Sequence, residues 1–198
     1  MPYKIISQIR DIKYLRFIDG WQSLSKDINS WDAGGKTLLI FTVLTGDLTM
    51  VRELVENRKA DVNKTDNWNW TPLMWAAKNG DREIVEYLLN KAALPAINAK
   101  NQYGLTATLA AAFNGDADVL QLLIAKGADL ALPDNLGTTA ISYAAKNGHK
   151  LAVALLLNSN ADPFIRDRFQ KNAVDHAREN GHEEIVRLIV NFPRLVQP

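Results

Sequence analysis

Apolar positions recur along this chain as two adjacent residues followed by two more, four positions on. The sets are Met50, Val51, Leu54, Val55; Ile84, Val85, Leu88, Leu89; Val119, Leu120, Leu123, Ile124; Ala152, Val153, Leu156, Leu157; and Ile185, Val186, Ile189, Val190. Spacing i, i+1, i+4, i+5 places all four side chains on one stripe of an α-helix, which neighbouring helices must cover. Upstream of each stripe lies a shorter segment. In three of them it carries small residues, Ala76-Ala77, Ala111-Ala112 and Ala144-Ala145, and it ends at a glycine in every case: Gly46, Gly80, Gly115, Gly148 and Gly181. A glycine just past a helix end is the usual left-handed cap. Each unit opens with Asp or Asn, at Asp32, Asp66, Asn101, Asp134 and Asp167, with spacings of 34, 35, 33 and 33 residues. A period near 33 with two short helices per unit predicts a stacked solenoid, in which each unit buries its apolar face against its neighbours.

The residues between units predict a tight turn between two short extended arms. Gly35, Gly104 and Gly137 stand three positions after the opening residue, where a positive φ is needed. Asn69 takes that place in the second unit and tolerates it next best. Gln170 in the fifth is less suited, so that turn is expected to be looser. Thr37, Thr71, Thr106 and Thr139 follow two positions later as helix N-caps, with Pro72 in the first helical turn after Thr71.

Asp-x-x-Gly-x-Thr, a small pair before Gly, Ile-Val-x-x-Leu-Leu and Gly-Ala-Asp together resemble the ankyrin repeat; Thr71-Pro72-Leu73-Met74-Trp75-Ala76-Ala77 is the nearest approach to it. The resemblance covers about Asp32 to Phe192 and implies an all-α solenoid of stacked helix-turn-helix units with short β-hairpin loops. Its expected repeats are 32–65, 66–100, 101–133, 134–166 and 167–193, within an array of 32–198. The family's His after Thr-Pro-Leu is replaced throughout, by Ile40, Met74, Leu109, Ser142 and Asp175. Its proline remains only as Pro72. The first repeat, with Thr42-Val43 in place of the small pair, is expected to be the least stable. Residues 1–31 carry helical spacings (Ile5, Ile9, Ile12; Trp21, Leu24, Ile28, Trp31) and read as a helical N-terminal cap, the alternative being a separate partner-binding helix. Arg178, Glu179, Glu183, Glu184 and Arg187 give the last repeat a polar outer face, so the array is expected to be closed at both ends, as a complete protein.

Charge and composition narrow the chemistry. With 23 basic and 22 acidic residues there is no net field to gather phosphates, so nucleic acid is not an expected partner. The absence of cysteine excludes disulfides, thiolate metal sites and cysteine nucleophiles. The N-terminal stretch interleaves charges with apolar residues, and no apolar run approaches the ~20 residues of a membrane span. A cytoplasmic protein without a membrane partner is expected. His149 and His182 both follow a helix-ending glycine, where the family places histidine for structural reasons; His176 has no second ligand at metal spacing. Ser142 lies inside a helix rather than on a strained elbow. No catalytic residue, metal site or cofactor is expected, and the chain reads as no enzyme.

Its expected function is to bind another protein. The resemblance implies a concave groove lined by loop tips and the first helix of each repeat. The second position after the opening residue reads Gly34, Trp68, Tyr103, Leu136, Phe169, and two residues on it reads Lys36, Trp70, Leu105, Thr138, Lys171. Side chains two apart on an extended arm point the same way, so Trp68 and Trp70 are expected to share one exposed aromatic face. Groove positions carried over from the family are Lys78 and Asn79, Phe113 and Asn114, and Lys146 and Asn147. The candidate partner-binding set is Trp68, Trp70, Tyr103, Leu105, Phe113, Lys78, Asn79, Asn114, Leu136 and Lys146. The lysines favour an acidic partner. The alternatives are an inhibitor or immunity-type protein occluding a cognate toxin or enzyme, and a structural subunit or homo-oligomer; a monomer when unbound is expected.

Overall fold

The computed structural model describes residues 27–32, 34–91 and 97–193. Among them run ten α-helices: α1 (Leu38–Leu44), α2 (Leu48–Glu56), α3 (Pro72–Asn79), α4 (Arg82–Lys91), α5 (Ala107–Asn114), α6 (Ala117–Ala125), α7 (Ala140–Lys146), α8 (Lys150–Asn158), α9 (Ala173–Glu179) and α10 (Glu183–Val190). The helical cap expected over residues 1–31 falls outside the described residues, apart from 27–31.

The helices pair within each repeat and stack between repeats in two rows. Odd-numbered helices contact the next odd-numbered one along the whole array, and even-numbered helices do the same. The odd row is close-packed through Ala76, Ala77, Ala111, Ala112, Ala144 and Ala145, all fully or almost fully buried, because methyl-sized side chains let backbones approach. The apolar stripes of the even row, such as Ile84, Val85 and Leu88, face that layer. Burying each large aliphatic side chain is worth about 1.5–3 kcal/mol, so the core is continuous along the rod.

Capping follows the threonines. The hydroxyls of Thr37, Thr71 and Thr106 accept from the amides of Ile40, Met74 and Leu109 at 3.2, 3.1 and 3.2 Å. Thr139 instead meets the Ser142 hydroxyl at 3.1 Å, and α9 starts on a capping box of Asn172 and Asp175. The glycine ending α5 is needed twice over. Gly115 has φ +78°, and a Cβ there would lie 2.4 Å from the His149 ring of the next repeat.

The β-hairpin loops expected between repeats do not form: the described residues contain no strand, and their one ladder-like contact is an isolated bridge between Trp31 and Thr37. The reason is local. In each loop, one oxygen of the opening Asp or Asn takes amides that a ladder would need. Asp66 Oδ1 accepts from Trp68 and Trp70, both at 2.9 Å. Asn101 Oδ1 accepts from Tyr103 and Leu105 at 2.8 and 2.9 Å, and Asp134 and Asp167 repeat the pattern. The loops are therefore side-chain-tied fingers. Neighbouring fingers are joined by single backbone bonds: Gln102 N–H to Trp68 O (3.2 Å), Asn135 N–H to Tyr103 O (3.0 Å) and Arg168 N–H to Leu136 O (2.8 Å).

The fifth finger is no looser than the others. Gln170 holds φ +61°, and its amide reaches Asp167 O at 2.9 Å, as Gly104 and Gly137 reach their own opening residues at 2.9 and 3.0 Å. The finger's other bonds hold Gln170 in a conformation that costs an ordinary side chain roughly 1–2 kcal/mol.

Repeat geometry also begins before Asp32. Asn29 Oδ1 accepts from Asp61 N at 2.7 Å, just as Asn98 Oδ1 accepts from Asp129 N at 3.0 Å. Residues 27–31 thus occupy the place of a repeat's closing segment.

Candidate functional site

The finger side of the array is built from the opening residues outward. With one carboxylate oxygen tied to the finger, the other points at the side chain nine residues on, in the first turn of the odd-numbered helix. Trp75 Nε1 donates to Asp66 Oδ2 at 3.1 Å, Tyr143 Oη to Asp134 Oδ2 at 2.7 Å, and His176 Nε2 meets Asp167 Oδ2 at 2.8 Å. Each bond pins finger to helix, so both form one surface. Sequence reasoning missed this set, although its signal is present: a ring donor stands at offset nine in repeats 2, 4 and 5, which open with Asp, and Ala110 where repeat 3 opens with Asn. Repeat 1 has Phe41 there, and its Asp32 is half-buried rather than sealed.

Two groups in these contacts, Tyr143 and Asp167, are shifted by their surroundings. Burial raises the Tyr143 hydroxyl far above its ordinary range, and the hydrogen bond to the charged Asp134 adds to this. Burial would also raise Asp167, but the Lys171 amide, the His176 ring and the Phe169 amide outweigh it and hold the carboxyl below its ordinary value.

The expected site residues divide by exposure. Trp68, Tyr103 and Leu136 stand out at the fingertips, 43, 55 and 47% exposed, and Phe169 continues the row at 66%. Because each tip carbonyl is bonded to the next finger, these side chains sit in register. Trp70 departs from the expected shared face with Trp68: it is 8% exposed, stacked on Trp75 with ring centroids 4.5 Å apart. The arms are not regular strands, so the two-residue alternation does not govern them. Lys78 lies over both stacked rings, its ammonium 5.1 Å from Trp70 and 4.8 Å from Trp75, while Lys36 lies 5.6 Å from Trp68. Leu105 is half-buried, and Asn79, Lys146 and Phe113 are exposed, Phe113 edge-on to Tyr143 at 5.7 Å.

Asn114 has an internal task. Its side-chain amide donates to the Lys78 carbonyl of the preceding repeat, and Asn147 does the same to Phe113 O at 2.7 Å. His149 and His182 also reach back one repeat, to Phe113 O at 2.9 Å and Lys146 O at 3.2 Å. These bonds set the odd-helix ends in register.

Among the described residues no group of three His, Asp or Glu side chains is placed to hold a metal ion. Asp175, next to His176 in sequence, turns instead to the α9 cap and to Arg166 and Arg178. Ser142 is buried against Thr139. A cleft of about 590 Å³ at the far end, between α8, α10 and residues 160–164, is lined by Leu157, Phe164, Ile189 and Phe192 with Asp162 as its one ionisable group. No described helix is long and apolar enough to cross a membrane.

The similarities to known proteins follow the repeats. Over 77 residues the chain is 44% identical to the rat protein named Ankyrin repeat and SAM domain-containing protein 6, covering 38% of this chain and 9% of that one. It is 35% identical over 79 residues to NAD-dependent deacetylase sir2B of Dictyostelium discoideum, covering 40% of this chain and 10% of that one. It is 37% identical over 71 residues to Alpha-latrocrustotoxin-Lt1a of Latrodectus tredecimguttatus, covering 36% and 5%. The chain thus matches a tenth or less of each of these relatives. The family model described as Ankyrin repeats (3 copies) matches residues 12–101 and 108–195. With that match across most of its length and two rows of stacked helices beneath it, the chain belongs to the ankyrin-repeat family.

Proposed function

We propose that the finger side of this array docks a partner protein, as a monomer in the cytoplasm and without chemistry of its own. Ankyrin repeats are non-catalytic scaffolds for protein interaction, and this chain carries several of them. The observation that carries the assignment to the finger side is the row Trp68, Tyr103, Leu136, Phe169: one large exposed side chain on each finger of repeats 2 to 5, at one position, in register. Internal packing does not account for it, since each of these fingers is already tied by its opening residue. Large aromatic anchors are the side chains that most often dominate interface energies. Asn79, Phe113, Lys78 and Lys146 extend the surface along the helix ends. A preformed face loses little ordering entropy on binding.

A photo-crosslinking residue at Trp68 or Tyr103, expressed in the native cell, is expected to capture a discrete partner. The same residue at Leu151, exposed on α8, serves as the control. Equal capture from both positions would remove the finger side as the docking face. Light scattering that shows a concentration-dependent dimer, abolished by Trp68→Ala, would replace it with self-association.

A further inference from the structure

We propose that repeat 3 holds an acceptor subsite, in which the side-chain nitrogen of Asn101 receives a carboxylate from an extended acidic segment of the partner. The proposal rests on the finger side being the docking face and names the partner's chemistry there.

The first observation is a reversed polarity. Asn101 Oδ1 accepts the same two finger amides as Asp66 and Asp134 Oδ1, which fixes the orientation of its amide. Nδ2 must therefore point where the second oxygens of Asp66 and Asp134 point, toward the residue nine positions on. There the other two find Trp75 Nε1 and Tyr143 Oη, whereas repeat 3 has Ala110 at that position, with no donor or acceptor in its side chain. Asn101 is 5% exposed, and its Nδ2 is buried without a hydrogen-bond partner. An unmet buried donor is costly and strongly favours any acceptor that reaches it. A donor in place of an oxygen, with the ring deleted in front of it, makes a position suited to an acceptor from outside.

The second observation is the charge around it. Three positions beyond the ring site stand Leu44, Lys78, Phe113, Lys146 and Glu179 in successive repeats. The subsite is thus flanked by Lys78 in the repeat before and Lys146 in the repeat after, both exposed and neither in an ion pair among the described residues. Residues one to four after each opening residue include Lys36, Arg168 and Lys171 and no acid. Glu179, the acid of the helix-end series, is paired with Lys171 at 2.7 Å. The outer helices carry Glu53, Glu56, Glu83, Glu86, Glu183 and Glu184. The opening acids on either side, Asp66 and Asp134, are buried and spend both oxygens on internal bonds, so the exposed charges flanking the subsite are Lys78 and Lys146, which favour carboxylate over a neutral acceptor. Nδ2 is covered in the free chain. In repeat 2 the side chain over the rings is Lys78, and its counterpart here is Phe113, which leans edge-on to Tyr143 with half its surface exposed. Binding at Nδ2 therefore requires a side-chain movement that uncovers it.

The test is titration of the ¹⁵N-labelled chain with capped nonapeptides in which Asp or Glu alternates with apolar residues, beside Asn/Gln and Lys counterparts. The acidic set is expected to bind about tenfold or more tighter than the amide set, the value of a charge-assisted over a neutral hydrogen bond. It should also shift the Asn101 side-chain NH₂ resonances. Asn101→Asp should abolish that preference, with circular dichroism verifying the fold. Asn101→Asp/Ala110→Tyr, which rebuilds the internal bond of repeat 4, should melt higher than the single variant without regaining the peptide. If Trp68 and Tyr103 amides shift while the Asn101 NH₂ pair stays still, the subsite falls and the docking face stands. Failure of all acidic peptides to bind also overturns the subsite, while crosslinking from Trp68 judges the docking face separately.

Discussion

Repeats 2 and 3 have the same backbone and opposite interiors. In both, the opening side chain ties the finger by bonds of 2.8–2.9 Å to the amides two and four residues on. In repeat 2 the remaining oxygen is answered by Trp75, which stacks on Trp70 under Lys78. In repeat 3 the remaining nitrogen is answered by nothing, and Leu105 and Ala110 stand where the two rings stood. The finger's shape therefore depends on one oxygen of the opening residue, and the second atom is left to vary from repeat to repeat. A solenoid tolerates this because each repeat is supported by its neighbours rather than by its own interior alone.

The largest test of the contrast is Trp70→Ala, which should cost about 3–5 kcal/mol by chemical denaturation, the range for deleting a buried indole. Leu105→Ala, at the same position of repeat 3, should cost clearly less, since that side chain is half-buried. Next comes Asp134→Ala, which strands the Leu136 and Thr138 amides and the Tyr143 hydroxyl; a loss of about 2–4 kcal/mol is expected from unmet buried donors. Asn101→Ala strands only the two amides and should cost less; equal losses would mean that the ring bond contributes nothing.

Acid should act on the fifth repeat in a definite direction. Asp167 has its carboxyl held below the ordinary value in the folded chain, so its stabilisation is complete above the unfolded carboxylate range, about pH 4. It is lost as pH falls through the lower folded value. Urea midpoints taken from pH 5 to pH 2 should fall, and Asp167→Asn should flatten that slope. Relieving the positive φ of Gln170 by Gln170→Gly should raise the melting point modestly, by up to about 1 kcal/mol of stability. Trp68→Ala is the smallest in stability, within about 0.5 kcal/mol as for an exposed position, and its effect should appear in partner capture instead.

Much of this molecule can be read from spacing alone. The four-residue stripes and the glycine period specify helix pairs and their stacking, because helical periodicity and the left-handed cap are properties of adjacent residues. The threonine caps at Thr37, Thr71 and Thr106 belong to the same local class. The opening Asp is legible as a marker of period but not as the clasp of the finger, which is why hairpin strands expected from the turn residues are absent from the described loops. Trp70 follows packing against Trp75 rather than the two-residue alternation, which holds only in extended arms.

The helix pairs, their caps and the order of the repeats follow from interactions spanning a few residues, which is why the chain announces them. Which tryptophan is buried, which asparagine bridges to the preceding repeat and where a donor is left unanswered depend on side chains brought together from 9 to 36 positions apart. Those choices come from packing, where volume and hydrogen-bond partners are settled only once neighbouring repeats have met.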